Sequence, residues 1–201
     1  MKNIYSLSET ISTAFALICT KLFYRGARLI RRPFYCRGKS RLQFAQGLTT
    51  GYNCRFDLLG EVTDKTSKKL ILGENCKIGD YVHIVASERV IIGDNCLMAS
   101  KIFISDTSHG EYINFDIDSR PDVPPDDRPL YTKPVSIGNN VWIGENACIL
   151  LGVNIGDGCI IGANSVVNRD IPNNCIVAGA PARVIKKWDD SLNVWKAVKK
   201  G

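Results

Sequence analysis

Histidine is scarce in this chain: His83 and His109 are the only two among 201 residues. A metal site that needs three imidazole ligands from one chain is therefore excluded. Eight cysteines are present, but no two stand in a Cys-x-x-Cys pair, so zinc is not expected. No arginine-rich groove with interleaved aromatics appears, which argues against nucleic acid. No stretch is apolar enough to span a bilayer. The apolar run at 14–19 is too short, and too poorly followed by a cleavage site, for a secretory signal. Net charge is +6, hydrophobic content 45% and charged content 23%, the balance of an ordinary globular chain with room for one sizeable core.

What is present is a beat of six. Aliphatic residues recur at Ile137, Ile143, Ile149, Ile155, Ile161 and Val167. Four places after each stands Val141, Ala147, Val153, Cys159, Ser165 or Ile171. The same beat runs through Leu72, Ile78 and Ile84, slips by two residues, and resumes at Ile92, Met98 and Ile104. A helix with about 3.6 residues per turn would scatter these side chains around its surface. A plain strand alternates in twos and asks for no regular glycine. A parallel β-helix meets both demands: short strands, a corner at every sixth residue, and an inward aliphatic side chain stacked on the coil below. Gly-Asp-Asn, Gly-Asn-Asn and Gly-Glu-Asn, which follow the aliphatic residue, tolerate the positive φ of tight corners. Cys76, Cys96 and Cys159 fall on the small inward position and read as reduced packing thiols.

Three segments leave the beat. Residues 1–40 are read as a helical segment, with Ser6 or Ser8 capping a helix whose apolar residues Ile11, Phe15, Ile18, Leu22 and Leu29 recur at helical spacing. Arg25, Arg28, Arg31 and Arg32 crowd its second half. Two readings stand: a cap on the open end of the repeat stack, taken first, or a basic amphipathic helix on an anionic membrane. The repeat domain is placed at 41–185, and residues 186–201, with Trp188 and Trp195, are expected to close it as a short helix. Inside the repeat, 105–133 breaks the pattern with an Asp- and Pro-rich insertion that holds His109. An insertion this long in a compact repeat usually serves a site.

Residues 70–186 resemble the hexapeptide-repeat acyltransferases, and especially the sugar O-acetyltransferase branch with galactoside, maltose and nodulation enzymes. Ile92-Gly-Asp-Asn-Cys-Leu-Met-Ala-Ser followed by Ile104-Ser-Asp-Thr-Ser-His109 resembles that family's run into its catalytic histidine. Val135-Ser-Ile-Gly-Asn-Asn-Val-Trp-Ile-Gly-Glu-Asn-Ala resembles the coil beside its coenzyme A channel. Ile161-Gly-Ala-Asn-Ser-Val-Val-Asn-Arg-Asp-Ile-Pro, then Val177-Ala-Gly-Ala-Pro-Ala-Arg-Val-Ile, resembles its carboxy-terminal signature. The resemblance implies a mainly β fold, a left-handed parallel β-helix, with acetyl-CoA as donor and no metal. It also implies a homotrimer with active sites between subunits.

Acetyl transfer to a sugar hydroxyl needs a base within hydrogen-bond reach of the alcohol, and imidazole suits this at neutral pH. His109 is the expected general base, with a backbone N–H stabilising the oxyanion. Carried over by motif, Trp142, Glu145 and Ala163 would line the pantetheine arm, and Asn168, Arg169, Arg183 and Lys186 would reach the nucleotide and its phosphates. Asp80, Tyr81 and His83, one coil earlier, are candidates for the carbohydrate acceptor. The expected setting is the cytoplasm, in surface-polysaccharide assembly, with peripheral contact of the amino-terminal segment at the inner membrane face. An acyltransferase acting on an amino sugar, serine or an antibiotic is the alternative. The carbonic anhydrases that share this solenoid are set aside because they need three histidines, and a pure scaffold gives no reason for His109.

Overall fold

Each hexapeptide makes one short strand and one corner, and three of them close a coil. In a computed structural model, which describes residues 5–60, 66–112 and 118–198, the coils stack into a three-sided prism. Face A is built from Leu29–Ile30, Thr49–Thr50, Lys77–Ile78, Leu97–Met98, Trp142–Ile143, Ile160–Ile161 and Cys175–Ala178. Face B stacks Phe34–Arg37, Cys54–Leu58, His83–Ala86, Phe103–Ser105, Cys148–Ile149 and Val166–Val167. Face C stacks Leu42–Phe44, Leu70–Leu72, Val90–Ile92, Val135–Ile137 and Asn154–Ile155. All pairings between coils are parallel, with beat residues in register, as in Met98↔Ile143↔Ile161.

The twelve residues of the late beat all point into the prism and are at most 4% exposed. The buried thiols behave as small hydrophobes that also satisfy a corner: Cys76 donates to the Gly93 carbonyl at 3.2 Å and Cys96 to that of Gly138 at 3.1 Å. All eight cysteines are free. Corners take the left-handed backbone on asparagine, with φ between 55° and 57° at Asn75, Asn95, Asn140, Asn146 and Asn164. Their acidic and amide neighbours form a ladder along the edge between faces C and A. Asp94 accepts from the Glu74 N–H, Asn139 from Asp94, Asp157 from Asn139, and Asn173 from Asp157, at 2.6–3.1 Å. That ladder is the physical reason for the repeated Gly-Asp-Asn.

Three expectations change. The solenoid begins at Leu29, not at 41, because Leu29–Ile30 already pairs with Thr49–Thr50. The helix, α1 (Leu7–Phe23), ends before the arginines: Arg25 and Arg28 lie in the connection that follows it, and Arg31 and Arg32 in the first coil. Its start is a capping box: the Glu9 N–H donates to Ser6 Oγ, and the Glu9 carboxylate accepts from the Ser6 N–H. The expected carboxy-terminal helix is a β-hairpin, Arg183–Asp189 with Val194–Ala197, added antiparallel to face A. Trp188 and Trp195 sit opposite each other across it, edge to face at 5.4 Å. Their spacing of seven fits two helical turns or a tight hairpin equally well. Pairing with the free edge of Cys175–Ala178 decides it, because an unpaired edge would leave backbone groups unsatisfied.

Candidate active site

The insertion leaves the prism at the corner between faces B and C, and its root is clamped. Asp106, fully buried, accepts from the N–H groups of Ser87, Glu88 and Arg89 at 2.8, 2.8 and 2.7 Å. Those three residues are the place where the beat slips between Ile84 and Ile92, so the extra corner residues exist to be gripped by this carboxylate. On the return strand, Thr132 donates to Glu88 at 2.8 Å and the Lys133 N–H donates to the Asp106 carbonyl at 2.9 Å. Between these ends Thr107–His109 pairs antiparallel with Leu130–Thr132.

His109 stands at the end of that pairing with an exposed side chain. Its backbone is held from the far side. Tyr112 Oη donates to the His109 carbonyl at 2.6 Å, and Arg128 Nη1 donates to Tyr112 Oη at 2.7 Å. Gly110 follows with φ of +100°, and a Cβ there would lie 2.6 Å from Tyr112 Oη, so the brace requires glycine. Sequence reasoning passed over Asp106, Tyr112 and Arg128. The two-residue slip was the visible signal for Asp106, but its partner lies 17–19 residues away in sequence.

The residues expected to bind donor and acceptor fall on two different edges of the prism. Trp142, half-exposed on face A, and the exposed Glu145 and Ala163 lie at or beside the corner between faces A and B. Gly144 lets the coils approach there: a Cβ would sit 2.6 Å from the Ala163 nitrogen. Asn168 and Arg169 lie on the B–C edge, where with Lys133, Leu150, Gly152 and Val153 they line a groove of about 300 Å³. This is the edge from which the His109 insertion leaves. Arg183 opens the carboxy-terminal hairpin beside Ala178, and Lys186 pairs with Ile176 within it. The two edges are separated by the width of face B, about five residues or roughly 16 Å.

The acceptor candidates divide as well. Asp80 Oδ1 accepts from the Tyr52 N–H at 2.7 Å, and the Asp80 N–H donates to Ser100 Oγ at 3.1 Å. Its carboxylate is thus a rung of the A–B corner, where sequence reasoning had it face a cleft. Tyr81, 57% exposed, occupies that corner with φ of 57°, a conformation that is costly for a bulky residue. Asparagine takes the same place at Asn53, Asn146 and Asn164. Tyr81→Asn is therefore expected to raise stability by about 1 kcal/mol, measured as a higher denaturant midpoint, while lowering activity if the ring touches substrate.

His83 points outward from face B, where its Nε2 lies 3.0 Å from Asp57 Oδ2. Arg55 Nε donates to the same oxygen at 2.6 Å. Burial raises the Asp57 carboxyl, but the hydrogen bonds from Arg55 and His83 outweigh it and hold its pKa below the ordinary value. With the folded value lowered, this brace holds at neutral pH and is lost as the pH falls through that lowered value. His83 is thus engaged in an ion network, whereas His109 has an exposed ring. Beside this network on face B, burial pushes the Cys36 and Cys54 thiols up to about 11, where the thiolate is scarce at neutral pH.

Comparison with known proteins gives these observations a family. Residues 134–169 match the model described as the hexapeptide repeat of succinyl-transferase. The chain is 40% identical over 192 residues to "Putative lipopolysaccharide biosynthesis O-acetyl transferase WbbJ" of Escherichia coli (strain K12), covering 96% of this chain and 95% of that protein. A galactoside acetyltransferase solved in complex with coenzyme A superposes with a TM-score of 0.52 at 31% identity, over 72% of this chain and 67% of that one. A hexapeptide-repeat acetyltransferase of Vibrio cholerae O1 biovar eltor, solved with acetyl coenzyme A, gives 0.53 at 26% identity over 92% and 80% of the two chains. The chain belongs to the hexapeptide-repeat acyltransferase family, in its O-acetyltransferase branch, with that family's left-handed β-helix.

Proposed function

We propose that this enzyme moves an acetyl group from acetyl-CoA to a sugar hydroxyl during assembly of a surface polysaccharide, in a homotrimer whose active sites lie between subunits. The observation that carries the reading is the split of the site between two prism edges. Within one chain, Trp142, Glu145 and Ala163 lie across the width of face B from the edge at which the insertion that holds His109 leaves the prism. In a ring of three subunits, the A–B edge of one chain meets the B–C edge of the next, and the two halves then line one channel.

In that channel His109 takes the proton of the acceptor hydroxyl as the oxygen attacks the thioester carbonyl carbon. The tetrahedral oxyanion collapses by breaking the carbon–sulfur bond, and the imidazolium returns the proton to the leaving thiolate. A backbone N–H holds the oxyanion. Trp142, Glu145 and Ala163 line the pantetheine arm, and Asn168, Arg169, Arg183 and Lys186 meet the nucleotide end. Tyr81 and His83 face the acceptor, and Asp80 sets the corner that presents Tyr81. The Tyr112–Arg128 brace fixes the backbone of His109.

The resemblance to the lipopolysaccharide enzyme over nearly the whole chain supports a cell-surface sugar as acceptor and work in the cytoplasm, at the inner face of the membrane. Incubation with acetyl-CoA and a panel of sugars, amino sugars, nucleotide sugars and lipid-linked oligosaccharides, read by mass spectrometry, tests this. An O-acetylated sugar is expected. An N-acetylated product would move the enzyme to the amino-sugar class. Arg169→Ala and Arg183→Ala are each expected to raise the KM for acetyl-CoA about tenfold, the loss of one charge-assisted phosphate contact, with kcat little changed.

A further inference from the structure

Helix α1 is built inside out. The side that rests on the solenoid is small and polar: Ala16 and Thr20 are its buried residues, and Thr20 Oγ1 accepts from the Ile30 N–H at 2.9 Å. Closure of the prism end falls to Tyr24, Ala27, Ile30 and Phe34, all in the core. The large apolar residues Leu7, Ile11, Phe15, Ile18 and Leu22 follow helical spacing along the opposite side and are 59–79% exposed. A helix that only capped the stack would turn this stripe inward. The stripe therefore has a partner outside the chain.

Charge says which partner. Residues 10–56 carry nine Lys and Arg and no Asp or Glu, whereas 57–201 carry 16 Lys and Arg against 19 Asp and Glu. Lys21, Arg25 and Arg28, at and just after the end of α1, are all exposed. Packing the stripe side by side with the parallel helix of a second copy of the chain would bring two such basic ends together, at a repulsive cost. An anionic bilayer accepts both the apolar stripe and the basic end. With 17 residues, α1 is about 26 Å long, short of a bilayer's hydrocarbon core, and no helix among the described residues is long and apolar enough to cross a membrane.

We infer that α1 lies flat in the headgroup region of an anionic phospholipid membrane, with the Leu7–Ile11–Phe15–Ile18–Leu22 stripe immersed and Lys21, Arg25 and Arg28 on the lipid phosphates. The inference deepens the proposed function, since it places the enzyme where a lipid-linked acceptor is held. It rests on that reading in one respect: cyclic symmetry puts three such helices on one end of the trimer, so that they engage one membrane together.

The full chain would be sedimented with vesicles of phosphatidylcholine alone and of phosphatidylcholine with phosphatidylglycerol. Binding to the anionic vesicles at least about tenfold stronger than to neutral ones, and weakened by salt, is expected. Ile11→Asp with Phe15→Asp should abolish it, and Arg25→Glu with Arg28→Glu should reduce it severalfold, with thermal midpoint and acetyl-CoA binding unchanged in both. No binding by the wild type, or equal binding by the Ile11/Phe15 variant, would overturn the inference. So would a wild type that ignores vesicles while that variant falls from trimer to monomer, which would make the stripe a subunit contact. Failure of the enzyme to bind acetyl-CoA would count against the proposed function and leave the vesicle result standing.

Discussion

His109→Ala is expected to lower kcat/KM by about 10²–10⁴-fold while acetyl-CoA binds with unchanged affinity. The imidazole is exposed at the end of a strand pairing, and the brace from Tyr112 and Arg128 reaches its backbone carbonyl, not its ring. Truncating the ring therefore removes the base without loosening the loop. Steady-state kinetics with the acetylated acceptor, with calorimetric titration of acetyl-CoA alongside, separates the two effects. Equal activity in the variant would remove His109 from the mechanism. A parallel loss of acetyl-CoA binding would mean that the residue shapes the donor site instead.

The second large effect is expected at Asp106. Asp106→Ala removes the fully buried carboxylate that accepts from the backbone N–H groups of Ser87, Glu88 and Arg89. A donor left unsatisfied in the interior costs about 1–3 kcal/mol, and water can reach the exposed Glu88 and Arg89 part of the corner, so the variant should lose about 1–3 kcal/mol of stability. Because the same carboxylate anchors the departure of the His109 insertion, activity should fall by more than the loss of folded protein explains. Asp106→Asn keeps an acceptor oxygen and should recover part of both. Denaturant unfolding and kinetics on the two variants check this. An Asp106→Ala enzyme of wild-type stability and activity would show that the clamp is dispensable.

Both predictions depend on features that the sequence revealed unevenly. The hexapeptide beat gave the prism, its inward residues and its asparagine corners directly, because a solenoid repeats one local rule and each coil touches only its neighbours. The resemblance pointed to the residues expected at the donor site and to His109, but not to their arrangement. Trp142 and Asn168 sit 26 places apart in sequence; which prism edge each occupies follows from counting corners, and that count was visible yet unused. Asp80 looked like an acceptor contact because it lies one coil before His109, whereas the backbone of its own corner has first claim on its carboxylate. The first coil carries no regular hexapeptide: Phe34 and Phe56 fill its interior edge to face at 5.1 Å, so residues 29–40 read as part of the amino-terminal segment. The terminal hairpin was hidden because its strand edge is set by the sheet it joins. On α1, helical periodicity was plain, but periodicity alone cannot say whether an apolar stripe faces in or out.

The claim that the active site is shared between neighbouring subunits is tested most directly by mixing inactive chains. His109→Ala removes the base on the B–C edge, and Ala163→Asp blocks the channel on the A–B edge. Each variant alone should be inactive toward the acceptor found in the sugar panel. In any mixed trimer, cyclic order places one unaltered His109 against one unaltered A–B edge. Co-assembled and purified mixed trimers are therefore predicted to regain one intact site and about a third of wild-type activity. Mixed trimers that stay as inactive as their parents would contradict the account and confine each site to a single chain.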